Sequence, residues 1–147
     1  MNYKNILIIL IFFIFPNKSF GLIEVDITRG NLNPLPIAIS SLSSDISTKN
    51  ELLKLLKVQD VGLEISKVIE NNFRQSGLFN PLNKDSFLQK PDIAHLKPRF
   101  EDWALIKAQA LITGEVKIGD EKLRVEFRLW DVLAGKEIMA LAFTTVS

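Results

Sequence analysis

The chain has no cysteine among its 147 residues. Disulfides, thiolate metal sites, a cysteine nucleophile and an acylated lipoprotein cysteine are therefore excluded. Histidine occurs once, as His95, so a site with several histidine ligands is excluded and no catalytic triad can be argued. Neither sign of charge is in excess, because 18 basic residues stand against 17 acidic ones. This balance gives no support for a surface that binds nucleic acid or anionic lipid.

A long hydrophobic run is also lacking. The apolar run over residues 6–15 follows Lys4 and has ten members, whereas a membrane-spanning helix needs about 20. Ser19 and Gly21 then supply the small residues of a cleavage site. The sequence predicts a signal peptide over residues 1–21, export of the chain, and no membrane insertion after cleavage. An uncleaved anchor or a buried core helix is the alternative.

Residues 22–33 predict an extended segment at the mature N-terminus, because they alternate in polarity until Arg29, Gly30 and Asn31 break the pattern. A segment of this kind can add its backbone to the edge of a partner's sheet, and it can equally be an edge strand of its own domain. Pro34 and Pro36 separate it from residues 34–147. One side of the segment presents Leu22, Glu24, Asp26 and Thr28, and the other presents Ile23, Val25 and Ile27.

Two main helices are predicted. Apolar residues recur at helical spacing from Val61 to Phe73, with Asp60 as N-cap and Gly77 as the left-handed C-terminal cap. A second helix opens at Pro98, because proline tolerates the first helical turn, and it ends near residues 107–109. A short helix over residues 52–56 is a weaker prediction.

The strands are predicted from alternation and from short apolar runs. Residues 37–39 suit a buried strand, 40–50 a loop, 78–82 an edge strand ended by proline, and 83–97 a polar connection. From residue 112 onward the pattern has period two, with turns at Gly119–Asp120 and Ala134–Gly135. We expect an α/β fold: a single domain whose mixed sheet of about five strands is packed by two main helices and ends in a three-stranded antiparallel meander.

The residues that could carry chemistry favour structural roles. His95 lies in a polar stretch near Asp92 and is predicted to be a surface histidine. Adjacent carboxylates at Glu101 and Asp102 point about 100° apart on a helix, so they suit its N-terminal turn better than a paired acid–base site. We predict no catalytic, cofactor-binding or metal-binding residue.

Two further patterns mimic ligand sites. Gly114 and Gly119 have the spacing of a phosphate loop, but Asp120 and Glu121 stand where lysine and a hydroxyl are required, so a hairpin is predicted. Arg124 and Arg128 with Trp130 resemble a nucleic-acid platform, but Glu126 interrupts them. A solvated sheet face with a helix on its Trp130 side is predicted instead.

Several runs of residues resemble the TolB family of the Tol-Pal system in order and spacing. The resemblance covers essentially all of the mature chain. It is carried by IEVDI (23–27), PIAI (36–39), SGLF (76–79) with Pro81 and Leu82, FEDW (100–103) and VEFRLWDV (125–132).

This resemblance implies a periplasmic, non-enzymatic protein with an α/β domain and a β-propeller that links the inner-membrane protein TolA to the outer-membrane lipoprotein Pal. Such proteins support outer-membrane integrity and envelope invagination during cell division. The chain stops at Ser147, before the family's last α/β helix and its propeller, so Pal is a partner only if the propeller is supplied elsewhere. The positions that correspond to the family's TolA contact are Leu22, Ile23, Glu24, Val25, Asp26 and Ile27.

Two rival interpretations remain open at the level of sequence. The chain could be a non-functional remnant or the product of a split gene, since a final apolar strand without a covering helix exposes apolar surface and an edge. It could also be a small-ligand periplasmic binding domain, although the sequence offers no convergent polar cluster for one.

Overall fold

A mixed β-sheet forms the centre of the computed structural model, which describes residues 33–44, 54, 57, 59–119 and 122–145. Six strands are present in these residues. They are β1 (Leu35–Ile39), β2 (Ser43–Ser44), β3 (Phe79–Pro81), β4 (Ala110–Gly119), β5 (Lys122–Asp131) and β6 (Lys136–Thr144).

The order of the strands confirms a mixed sheet. It runs β3-β1-β4-β5-β6. The strand β1 pairs parallel with β3 and β4. The strand β5 pairs antiparallel with β4 on one side and with β6 on the other. The edge strand β3 and the C-terminal meander lie where the sequence predicts them. The strand β5 begins at Lys122 and β6 at Lys136, while Asp120 and Val146 lie outside the described residues.

The two-residue strand β2 corrects the prediction of a loop over residues 40–50. Ser43 and Ser44 pair parallel with Glu115 and Val116 of β4. The backbone N–H of Ser40 already donates to the Ile112 carbonyl at 3.0 Å, so the chain follows β4 beyond the end of β1. Serine side chains disfavour a strand by propensity, but pairing of the backbone decides the structure here.

Helix α1 spans Val61–Ser76 and confirms both predicted caps. The Asp60 carboxylate accepts a hydrogen bond from the Leu63 N–H at 3.0 Å, which satisfies one of the orphan donors of the first turn. Gly77 adopts φ 70° and donates its N–H to the Arg74 carbonyl, a left-handed ending for which glycine is favoured.

The opposite face of the sheet carries α2 (Pro91–Ala94) and α3 (Phe100–Leu105), and a 3-10 turn (Lys84–Ser86) precedes them in the chain. Residues 83–97 therefore contain two short helical elements, where the sequence predicts only a polar connection. The predicted second helix is present as α3 but begins two residues after Pro98, which is buried. It ends before Lys107, whose φ of 64° lies in the left-handed region.

The sheet thus lies between two helical layers, and each face has its own core. On the α1 side, Ile37, Ile39, Ala110 and Ile112 pack against Ile69 and Phe73. A further cluster on that side joins Leu42, Val61 and Val116. On the other side, Ala38 and Leu111 pack against Trp103, Ala94 and Val132.

Candidate functional site

The residues predicted to bind a partner, Leu22, Ile23, Glu24, Val25, Asp26 and Ile27, lie outside the described residues. The predicted signal peptide over residues 1–21 does too, and so does the predicted short helix over 52–56 apart from Lys54. These three predictions remain predictions. In the part of the chain that is described, no helix is long and apolar enough to cross a membrane.

His95 is not the surface histidine that the sequence predicts. Its side chain is only 11% exposed, and its Nε2 lies 3.3 Å from Oε2 of Glu115. Glu115 also pairs with the Lys117 ammonium. The polar sequence around His95 is misleading because α2 packs this stretch onto β4. The His95–Glu115 contact therefore joins α2 to the sheet. The described residues hold no cluster of metal-binding side chains.

The adjacent carboxylates do not form a paired site. Asp102 pairs with the Arg99 guanidinium at 2.6 Å in the first turn of α3, while Glu101 is exposed. The two residues thus act as the predicted N-terminal charges of a helix.

Gly114 belongs to the β4–β5 hairpin, as predicted, and not to a phosphate loop. It faces Phe127 in the β4–β5 register. A Cβ atom built on Gly114 would overlap the Glu126 carbonyl, so this position requires a glycine for close approach of the two strands.

The charged face of β5 is neutralised by internal ion pairs. Arg124 pairs with Glu126 at 2.7 Å and Arg128 with Glu137 at 3.0 Å. Trp130 donates its ring N–H to the Thr113 hydroxyl at 2.8 Å. The same ring packs against Phe100 of α3 with a centroid separation of 5.8 Å. The predicted helix on the Trp130 side is therefore confirmed, and the Trp130 ring packs against that helix.

A buried polar network under α1 was missed from the sequence. Ser66 is fully buried; its hydroxyl donates to the Leu63 carbonyl at 2.7 Å and accepts from the Lys84 ammonium at 2.5 Å. The Oε2 atom of Glu70 lies 3.7 Å from Nζ of Lys84. Burial lowers the pKa of Lys84, against the opposing effect of Glu70. A serine and a lysine with a lowered pKa resemble a nucleophile and its base, but a fully buried hydroxyl cannot meet a substrate.

An apolar groove runs beside α1 over the outer strands of the sheet. Its volume is about 240 Å³, and it is lined by Ile69, Phe73, Ile112, Phe127, Arg128, Leu129, Met139 and Leu141. Along β6 every residue is exposed, including Met139, Leu141 and Phe143 at 46%, 45% and 57%. A contiguous exposed apolar surface is typical of an interaction site or of a surface that another element covers.

Comparison with known proteins agrees with the fold and the sequence pattern. The family model for the TolB amino-terminal domain matches residues 23–138. The Tol-Pal system protein TolB of Pelagibacter ubique is 72% identical over 137 residues, which cover 93% of this chain and 31% of that protein. The chain therefore spans about a third of the length of this relative.

Two solved structures share the fold at low identity. A crystal structure of TolB from Acinetobacter baumannii has a TM-score of 0.51 at 18% identity, covering 75% of this chain and 23% of that one. The C-terminal domain of LpoB from Escherichia coli has a TM-score of 0.54 at 10% identity, covering 81% and 87%. These two show the fold alone. The family match and the close relative together show that this chain belongs to the TolB amino-terminal domain family.

Proposed function

We propose that the chain is a periplasmic, non-catalytic protein-interaction component of the Tol-Pal system. The observation that carries this proposal is the 72% identity to a Tol-Pal protein over nearly the whole chain. The described residues are consistent with it: the Ser66 hydroxyl is buried, Glu101 and Asp102 do not form a paired site, and the groove beside α1 is apolar. In this role the chain supports outer-membrane integrity and envelope invagination during division.

The proposed partner is a TolA-like inner-membrane protein, and the proposed contact is the segment from Leu22 to Ile27. A strand that alternates in polarity can join the edge of a partner's sheet through its backbone. Its apolar side, Ile23, Val25 and Ile27, would then face the partner's core, while Glu24 and Asp26 remain in water. The chain spans 31% of its Pelagibacter relative, and Pal is proposed as a partner only of a protein that also carries a β-propeller.

Proline at Val25 tests this contact. It removes a backbone N–H from the middle of the proposed strand and so prevents regular pairing. Loss of even one such hydrogen bond, at about 1.4 kcal/mol, corresponds to tenfold weaker binding. We therefore expect Val25→Pro to bind the periplasmic C-terminal domain of TolA at least tenfold more weakly in a fluorescence anisotropy titration.

Asn31→Pro is the matched control, because it places the same residue in the same segment beyond the alternating pattern. We expect its affinity to equal that of the parent. Equal binding by the parent and Val25→Pro would contradict strand addition. Absence of binding by all three folded proteins would favour the remnant interpretation.

A further inference from the structure

Lys84 reaches from the 3-10 turn to the side of α1. Its Nζ donates to the Ser66 hydroxyl at 2.5 Å and lies 3.7 Å from Oε2 of Glu70. The side chain of Lys84 is 25% exposed, so it is largely enclosed but still meets solvent. The contact proposed for residues 22–27 does not involve this amine.

The surroundings of Lys84 favour the neutral amine over the ammonium. Burial has the largest effect and lowers the pKa of Lys84, Glu70 opposes this effect, and the Lys67 ammonium adds to it. Glu70 compensates only in part, because it also pairs with the Arg74 guanidinium at 2.6 Å. Removal from water and a neighbouring cation are the two ways in which proteins activate a lysine as a nucleophile.

The hydrogen bonds around Nζ leave the lone pair of the neutral amine unengaged. The Ser66 hydroxyl donates its own proton to the Leu63 carbonyl at 2.7 Å, so it accepts from Lys84 and has no proton to give back. Glu70 is an acceptor as well. A lysine ammonium carries three N–H donors. Loss of the third proton therefore leaves two N–H groups for Ser66 and Glu70 and a lone pair that can attack an electrophile.

We propose that Lys84 is a reactive amine and the preferred site of N-acylation in the described part of this chain, where it accepts small acyl groups from activated esters or acyl phosphates. The nitrogen lone pair forms a bond to the acyl carbon, the bond from that carbon to the leaving oxygen breaks, and the displaced proton passes to water. The product is an uncharged amide whose N–H still donates to Ser66. Acylation thus removes a partly buried charge and keeps the hydrogen bond, so the fold should tolerate it.

Exposure and nucleophilicity give opposite predictions for Lys84 and Lys117. The side chain of Lys117 is 55% exposed, and its hydrogen bond to Glu115 raises the pKa of its ammonium. If exposure alone set the rate, Lys117 would react faster. A lower pKa increases the neutral fraction by more than it weakens the nucleophile, as thiols show. We therefore expect Lys84 to react faster, despite its smaller exposure.

Brief acetylation of the intact chain with the N-hydroxysuccinimide ester of acetic acid, near neutral pH, tests this order. Peptide mass spectrometry measures both rates in one sample. We expect Lys84 to react at least threefold faster than Lys117 in the folded chain, and the two rates to become equal in concentrated urea, where both environments are lost. A Lys84 rate at or below that of Lys117 in the folded chain, or a ratio that urea leaves unchanged, would overturn the proposal.

Two substitutions on α1 should change the Lys84 rate in opposite directions. Glu70→Gln removes the carboxylate that opposes the effect of burial, so we expect at least twofold faster acetylation of Lys84. Lys67→Gln removes the neighbouring cation and should slow it. Glu101→Gln, at an exposed position of α3, is the matched control and should leave the rate unchanged. Circular dichroism verifies folding, and a Lys84 rate that is the same in the parent and in each folded α1 variant would contradict the proposed activation.

Discussion

Gln89 joins three parts of the α3 side through one buried amide. Its Oε1 accepts from the Arg99 N–H at 2.9 Å and from the Trp103 ring N–H at 3.1 Å, and its Nε2 donates to the Lys97 carbonyl at 2.9 Å. These bonds fix the start of α3 against the preceding segment. The sequence gives no signal for this role, because a glutamine in a polar stretch is usually exposed.

Gln89→Ala should therefore be strongly destabilising. It leaves buried donors and an acceptor unpaired, at about 1–3 kcal/mol for each such group, so we expect a loss of at least about 2 kcal/mol in urea unfolding. Gln75→Ala on the exposed side of α1 is the matched control and should change stability by less than about 0.5 kcal/mol. Similar losses for both variants would contradict the role assigned to Gln89.

Lys84 provides a prediction about pH. Burial lowers the pKa of its ammonium below the ordinary 10.5, so the unfolded chain binds this proton more tightly than the folded one. The stability linked to Lys84 is fully present above pH 10.5 and is lost as the pH falls through the lowered folded pKa. The free energy of unfolding of the parent minus that of Lys84→Met should therefore rise with pH toward 10.5. A difference that is flat over this range would contradict the burial of a charged Lys84.

At the scale of the elements, Gly62 determines how closely α1 approaches the sheet. A Cβ atom built there would overlap the Leu42 carbonyl, and the Leu42 N–H donates to the Gly62 carbonyl at 3.2 Å. Alanine ordinarily stabilises a helix by about 1 kcal/mol relative to glycine. At position 62 the clash should reverse this effect, so that alanine destabilises the protein.

We expect Gly62→Ala to lower the free energy of unfolding by about 1–3 kcal/mol. Asn72→Ala, at an exposed position of the same helix, should be neutral or slightly stabilising. Thermal unfolding followed by circular dichroism measures both. A stabilised Gly62→Ala would show that the helix does not lie against Leu42.

The elements that the sequence predicts well are those in which side-chain pattern and backbone agree. Helix α1 has a strong apolar period and both caps, and β5 alternates from Leu123 to Trp130. The strand β2 and helix α2 were missed because backbone pairing and tertiary packing form them against local propensity. The burial of His95 and the Ser66–Lys84 hydrogen bond were missed for the same reason, since each depends on contacts between residues that are distant in sequence.

At the scale of the whole molecule, the two faces of the sheet differ in cover. The helices α2 and α3 and the ion pairs of β5 occupy one face. On the other, α1 leaves an apolar surface over β5 and β6 that includes Phe127, Leu129, Met139 and Leu141.

The folded chain should bind the dye anilinonaphthalene sulfonate at this surface. Met139→Ser with Leu141→Ser should reduce the fluorescence at least twofold, whereas Leu96→Ser, at another exposed leucine, should leave it unchanged. Urea unfolding of all three proteins would verify that they are folded. Fluorescence that is unaffected by the paired substitution would place the dye elsewhere.

The most direct test of the account is a calorimetric titration of the periplasmic C-terminal domain of TolA into residues 22–147 and, separately, into a version that begins at Asn33. The account predicts heat of binding with the longer version and none with the shorter one, while both unfold cooperatively. Equal binding by both would place the contact outside residues 22–32. No binding by a folded longer version would contradict a TolA-binding role for this chain.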